Sequence, residues 1–225
     1  KPTGDKDPFA LRRAAIGLVR ILVENKIELN LASAIQIAIN GYQGILLLKE
    51  TDVISLQFIR DRMRGYFEEK GMAPQICRAA MSSQSQSPTD IARRIEALQS
   101  FYESTESKNL IAANKRITNI LRKNPLPNHS GVAKEELFSV DFEITLAKHY
   151  GEVNSLAESL YQQKKYEEYL FGMSSFKAPV DEFFENVQVI TKNKAVTNNR
   201  LALLSQLNEL FGKVGDLSLL GHSER

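Results

Sequence analysis

Apolar side chains recur three and four positions apart along most of this chain, and no stretch shows sustained alternation of β-branched and polar residues. The first such stripe includes Leu11, Leu18 and Leu22. It follows Asp7, a favourable helix N-cap, and Pro8, which suits the first turn of a helix. A repeat of 3.6 residues places these apolar side chains on one helix face. The pattern therefore predicts an all-α protein.

The same periodicity, read with the positions of glycine and proline, predicts ten further helices. They cover about residues 31–42, 52–71, 74–81, 90–101, 107–124, 135–148, 153–163, 166–173, 180–189 and 195–214. The segment SSQSQSP, residues 82–88, is predicted to be a surface loop, and the two prolines of NPLPN interrupt the helices. We expect two subdomains, a helical body over residues 1–103 and a helical bundle over residues 104–225.

Charge is unevenly distributed along the chain. Lys and Arg total 29 and Asp and Glu total 27, a net charge of +2, so nucleic-acid binding would have to depend on local charge. Residues 108–124 carry five basic residues and no acidic one, whereas residues 135–185 carry eleven acidic residues against four lysines. The nearly neutral total therefore conceals a polarised molecule.

The basic segment is the first candidate binding site. On a helix, its apolar residues fall on one side, with Lys115, Asn119, Arg122 and Lys123 opposite and Arg116 toward the boundary. Cations beside an amide suit phosphate attraction combined with hydrogen bonds to base edges. The alternative is an ordinary solvated basic face, which is common on helices.

The last helix offers a second candidate. Asn198, Asn199 and Arg200 crowd its first turns, where helix amides and an arginine could contact a phosphate or a base. The alternative is that Arg200 pairs with the acidic segment.

Other chemistry finds little support in the residue pattern. Cys77 is the one cysteine, and the three histidines have no metal-ligand spacing, so we expect no metal site. No carboxylate pair is placed with a base, so we expect no catalytic residue. No apolar stretch approaches the ~20 residues of a membrane span, and we expect a cytoplasmic protein. Because the chain begins at Lys1 without a signal peptide, we expect a piece of a longer protein.

Three segments carry a family resemblance. KPTGDKDPFALRRAAIGLVRIL, residues 1–22, resembles a signature stretch of the beta subunit of bacterial tetrameric glycyl-tRNA synthetase. NKRITNILRK, residues 114–123, and the stretch from PVDEFFENVQVI through NNRLALLSQLNELF, residues 179–211, are similar to that subunit's anticodon-binding region, and to the anticodon domain of arginyl-tRNA synthetase. Arginyl enzymes carry Asp-Ala-Leu-Arg before the last helix, whereas this chain reads KAVT, residues 194–197.

The resemblance implies a helical anticodon-binding domain that helps select glycine tRNA, whose anticodon ends in two cytosines. It implies an alpha2beta2 complex in which the alpha subunit activates glycine with ATP and Mg²⁺, so that this fragment needs no cofactor of its own. The implied tRNA-facing surface comprises Lys115, Arg116, Asn119, Arg122, Lys123, Asn199 and Arg200. Arg12, Arg13 and Arg20 could contact the tRNA arm or pack against upstream domains.

Two other functions remain open at this point. The chain could be a structural helical module that joins the alpha and beta subunits without touching RNA, with the acidic residues 135–185 as its docking surface. A hydrolase of HD type is disfavoured, because the chain contains none of the family's histidine-aspartate pairs.

Overall fold

The computed structural model describes residues 7, 9–42, 50–126 and 131–221, and within these ranges every regular element is helical. The all-α prediction is confirmed. The chain divides into two compact units, residues 1–95 and 96–225. The division falls inside the fifth helix, whereas the sequence placed it after Glu103, at the end of that helix.

Ten α-helices and three short 3-10 turns make up the regular structure of the described residues. The first five helices are α1 (Leu11–Glu24), α2 (Leu31–Asn40), α3 (Thr51–Glu69), α4 (Pro74–Met81) and α5 (Pro88–Glu103). The other five are α6 (Ser107–Lys123), α7 (Asp141–Gln162), α8 (Tyr166–Gly172), α9 (Lys177–Asn186) and α10 (Lys194–Gly212). None of the described helices is long and apolar enough to cross a membrane.

The N-terminus of α1 differs in detail from the sequence prediction. Its N-cap position is Ala10, with a left-handed φ of 53°, rather than Asp7. The Asp7 carboxylate nevertheless accepts hydrogen bonds from the backbone amides of Arg12 and Arg13, at 3.2 and 3.4 Å. Asp7 thus accepts from first-turn amides although it lies outside the helix. A carboxylate is stabilised there because the N-terminal end of a helix carries free amides and a partial positive charge. Pro8 lies outside the described residues.

In the first unit, α1 packs against α3. Of the apolar stripe predicted for α1, Leu22 is buried, whereas Leu11 is 44% exposed. Val19 and Leu22 of α1 are buried, as are Met63 and Phe67 of α3. The buried Thr89 hydroxyl at the start of α5 lies 3.0 Å from the Leu22 carbonyl oxygen and donates to α1 at its end. These contacts hold the N-terminal helices around one apolar core.

The second unit has a larger core in which α10 is buried on nearly every side. Leu204 and Phe211 of α10 are fully buried, and Phe211 meets Phe176 edge to face with ring centroids 5.2 Å apart. The Tyr169 hydroxyl of α8 donates to the Leu210 carbonyl at 2.6 Å. Helix α6 packs on α10, so one side of α6 faces the core and the other is left to solvent.

Helix α7 is one continuous helix where the sequence predicted two. The sequence predicted two helices, about 135–148 and 153–163, separated near Gly151, but α7 runs unbroken from Asp141 to Gln162. Residues Glu135–Leu137 form only a 3-10 turn. A single glycine costs a helix about 1 kcal/mol relative to alanine, less than the burial of Leu146 and Ala157 against the core contributes.

Candidate nucleic-acid interface

The exposed side of α6 carries the predicted cations. Leu110, Ile111 and Ile117 are buried, which fixes the rotation of the helix. Five polar side chains consequently lie in solvent, and together we call them the basic face: Lys115, Arg116, Asn119, Arg122 and Lys123. The exposure that periodicity predicted for Lys115, Asn119, Arg122 and Lys123 is confirmed. Arg116, predicted to lie toward the boundary, is exposed as well.

The cations of the basic face are not neutralised by any carboxylate of a described residue within ion-pairing distance. The Arg116 guanidinium lies over the Phe184 ring, 3.9 Å from its centroid, and Arg122 donates to the Asn119 side-chain oxygen at 3.3 Å. Both contacts order a long side chain without removing its charge. The face therefore presents a positive potential to solvent.

A groove of 670 Å³ runs beside the basic face, and we call it the α6 groove. One wall is α6, and the other is the segment that joins α9 to α10. Its lining residues are Ala112, Lys115, Arg116, Asn119, Ile120, Lys123, Asn124, Gln188, Val189 and Ile190. The groove thus combines three cations, three side-chain amides and an apolar surface, a composition that suits a base and its phosphate. Arg122 belongs to the basic face but does not line this groove.

The segment that forms the far wall was missed by the sequence reasoning. Gln188, Val189 and Ile190 belong to a stretch that carried the family resemblance, but helical periodicity assigned no site to them. Ile190 is 43% exposed, an unusual position for an isoleucine next to cations. Its neighbourhood depends on the approach of α9 to α6, which local pattern does not encode.

Arg200 and Asn199 are buried, contrary to the sequence prediction. Both were predicted to lie on the RNA-facing surface, but they are 5% and 4% exposed. The Arg200 guanidinium is paired with Glu143, with Nε 2.7 Å from Oε1, and Asn199 exchanges hydrogen bonds with the Lys134 backbone at 2.7 and 2.9 Å. The expectation that they face outward is wrong, and the alternative in which Arg200 pairs with the acidic segment is confirmed.

The sequence contained a signal for this burial. Arg200 precedes Leu204 by four positions and Leu207 by seven, so a 3.6-residue repeat places it on the apolar side of α10. Both leucines are fully buried. An arginine in an apolar stripe is expected to find a buried carboxylate, and Glu143 supplies it.

The environment of Glu143 favours its ionised form. Burial opposes ionisation, but the hydrogen bond from Arg200 and those from the amides of Ser139 and Val140 outweigh it and lower the pKa of Glu143. The two amides donate to Oε2 at 2.8 and 3.0 Å, so the carboxylate also caps the start of α7.

The remaining candidate residues lie elsewhere. Lys194 and Ala195 of the KAVT string form the first turn of α10, and Lys194 is exposed. In the first unit, Arg13 Nε lies 3.9 Å from Asp7 Oδ2. Arg20 Nε lies 3.5 Å from Glu24 Oε1. These ion pairs do not test whether the arginines of α1 contact the tRNA arm or pack against upstream domains, so that role stays a prediction.

The histidines and the cysteine of the described residues form neither a metal site nor an activated nucleophile. Within the described part of the chain, no group of three or more His, Cys, Asp or Glu residues is arranged to hold a metal ion. His149 lies 3.0 Å from the Ser175 hydroxyl, and His129 and His222 fall outside the described residues. Burial raises the pKa of Cys77 to about 11, so its thiol stays protonated at neutral pH.

Comparison with known proteins gives consistent matches. A model described as the glycyl-tRNA synthetase beta subunit matches residues 1–82, and one described as the DALR anticodon-binding domain matches residues 110–222. The chain is 41% identical over 221 residues to the glycine-tRNA ligase beta subunit of Coxiella burnetii (strain RSA 331 / Henzerling II). It is 39% identical over 223 residues to that of Salmonella paratyphi C and 36% identical over 219 residues to that of Colwellia psychrerythraea. Each alignment covers 97% of this chain and 32% of the relative. The chain therefore spans about a third of the length of these relatives.

Proposed function

The chain belongs to the family of glycyl-tRNA synthetase beta subunits, and on that basis we propose that it binds glycine tRNA through the basic face and the α6 groove. One observation carries the proposal. The DALR anticodon-binding domain match, residues 110–222, contains every residue of an exposed cationic surface with an adjoining groove. The relatives are named as tRNA ligase subunits, which supports a tRNA-related role for this chain.

The chemistry of the groove suits an unstacked RNA loop. Arg116 and the lysines attract phosphates, and the planar guanidinium can do so through two parallel hydrogen bonds. Asn119 and Gln188 carry amides that donate to and accept from base edges, while Ile120 and Ile190 offer an apolar surface for a base. Charge supplies affinity and the amides supply discrimination.

We assign the chain a binding role within a larger enzyme. Glycylation of tRNA with ATP and Mg²⁺ would take place on the alpha subunit, in an alpha2beta2 complex in the cytoplasm, and this part of the beta subunit would contribute no catalytic residue. These statements concern a whole synthetase, and the chain spans about a third of the length of the beta subunits that it matches.

The proposal is tested by removing two cations from the basic face. Exposed ion pairs contribute up to about 1 kcal/mol each, so Arg122→Ala with Lys123→Ala should weaken binding of a glycine anticodon stem-loop roughly tenfold. The slope of log K against log salt should fall by about 1.4 if two phosphate contacts are lost. The matched control is Lys148→Ala with Lys177→Ala, which removes two exposed lysines that do not line the groove.

Filter binding or fluorescence anisotropy at low salt measures both variants, with circular dichroism to show that helix content is unchanged. A stem-loop with an altered anticodon should bind more weakly to the wild-type chain. Equal affinities for the wild type and the Arg122 and Lys123 variant would reject this surface. Retention of the alpha subunit by a chain that ignores RNA would favour the structural-module alternative.

A further inference from the structure

Arg200 lies where three segments of the second unit meet. Its Nε donates to Glu143 of α7 at 2.7 Å, its Nη1 to the Gln188 carbonyl oxygen at 2.7 Å, and its Nη2 to the Ser139 hydroxyl at 2.9 Å. The guanidinium side chain is 7% exposed and the Glu143 side chain is fully buried. A single buried cation therefore connects α10, the start of α7 and the segment between α9 and α10.

One of these three bonds ends at the α6 groove. Gln188 lines the groove, and the backbone carbonyl that Arg200 holds belongs to that same residue. The segment is fixed again three residues later, where the Thr191 amide donates to the Thr197 hydroxyl of α10 at 2.9 Å. Between these two points Val189 and Ile190 form the remaining lining of the far wall. Arg200 thus sets the position of the wall without lining the groove itself.

A buried ion pair of this kind is an inefficient way to stabilise a core, because desolvation of the charges offsets most of their attraction. Apolar side chains of similar volume often stabilise a protein equally well or better. A planar guanidinium, however, can hold a carboxylate, a hydroxyl and a backbone carbonyl in fixed directions at once, which an apolar side chain cannot do. The arrangement therefore indicates that Arg200 serves to hold these three groups in position and not mainly to stabilise the core.

We propose that Arg200, oriented by Glu143, is a positioning residue for RNA binding: it fixes the Gln188 carbonyl and with it the far wall of the α6 groove. It controls RNA affinity from the interior of the domain and makes no contact with RNA. This inference rests on the proposed function, since it concerns the same groove.

The test replaces Arg200 with lysine. The ammonium group of Arg200→Lys can still pair with Glu143, but it cannot reproduce the three divergent hydrogen bonds. We expect the variant to fold and to bind the anticodon stem-loop at least tenfold more weakly. Its slope of log K against log salt should stay at the wild-type value, because no phosphate contact is lost. Hydrogen exchange of the Thr191 amide, which donates to the Thr197 hydroxyl, should be faster.

Tyr169→Phe is the matched control. It removes a buried hydrogen bond to the Leu210 carbonyl in the same unit, and Tyr169 does not line the groove. Its stability is compared with that of Arg200→Lys by urea unfolding. We expect its RNA affinity to equal that of the wild type. Should Arg200→Lys fail to fold, Ser139→Ala replaces it: Ser139 is exposed, and losing its hydroxyl should weaken binding about threefold at an unchanged salt slope.

Three results would overturn the positioning role. These are wild-type affinity in Arg200→Lys or Ser139→Ala, an equal loss of affinity in Tyr169→Phe, or a reduced salt slope in Arg200→Lys, which would indicate direct phosphate contact. The basic-face variant of Arg122 and Lys123 is measured in parallel. If it binds RNA normally, the proposed function itself fails; if it binds weakly while Arg200→Lys binds normally, only the positioning role fails.

Discussion

Replacing Glu143 with glutamine should strongly destabilise the second unit. The wild-type carboxylate accepts hydrogen bonds from Arg200, from the amides of Ser139 and Val140 and from the Ser139 hydroxyl, and its charge balances a buried guanidinium. Glutamine has one accepting oxygen and turns an amide toward the remaining donors. Removing one partner of a buried ion pair typically costs about 3–5 kcal/mol, which is a large share of the 5–15 kcal/mol that stabilises a typical domain.

Chemical and thermal unfolding of the 225-residue chain at pH 7, followed by circular dichroism, measures this loss. At roughly 3 °C per kcal/mol for a domain of this size, Tm should fall by about 10–15 °C. Asp181→Asn is the control, because it removes one partner of an exposed ion pair, with Lys177 Nζ 3.2 Å from Asp181 Oδ2. That change should cost at most about 1 kcal/mol.

Glu143→Gln should also change how the stability of the chain depends on pH. The folded pKa of Glu143 is depressed, so its stabilising effect is fully present above the ordinary pKa of glutamate, about 4.3, and is lost as pH falls through the lower folded pKa. The stability difference between wild type and Glu143→Gln should therefore be largest near pH 7 and should shrink as the solution is acidified toward pH 3. A difference below 1 kcal/mol at pH 7, or one that does not change with pH, would refute the reasoning.

Two further predictions concern other parts of the chain. Cys77 is buried with its pKa raised to about 11, so iodoacetamide at pH 7.5 should leave it unmodified in the folded chain and alkylate it in urea, as mass spectrometry would show; equal labelling in both states would contradict its burial. Asn193→Ala removes the side chain that caps α10 by accepting from the Ala195 and Val196 amides, at 3.0 and 3.4 Å, and should cost about 1 kcal/mol in urea unfolding; Asn193→Asp, which keeps the acceptor, is the control and should lose little.

The spacing of apolar and polar residues was sufficient to predict most helices and the exposure of the basic face. Helix α4 begins and ends where the sequence predicted, and α3 ends just before Gly71, whose φ of 88° favours glycine. The rotation of α6 follows from its own apolar stripe, so Lys115 and Lys123 were correctly placed in solvent. These features depend on residues within two or three turns of one another, and a 3.6-residue repeat specifies such relations directly.

Other features depended on residues far apart in sequence. Gly151 signals a helix end by itself, but the buried residues on both sides of it keep α7 continuous. Gln188 becomes part of the α6 groove only because α9 and α10 pack beside α6.

The sequence by itself determined the helical class, the polarity of α6 and the family resemblance, because each is written in short spacings or continuous strings. Only the tertiary structure decided which carboxylate pairs with Arg200, namely that of Glu143, 57 positions earlier in the chain. Its register among the leucines of α10 indicates burial, but the partner that makes burial of its charge tolerable is supplied by another helix. The physical reason is that an ion pair depends on where two distant segments meet, which no local repeat contains.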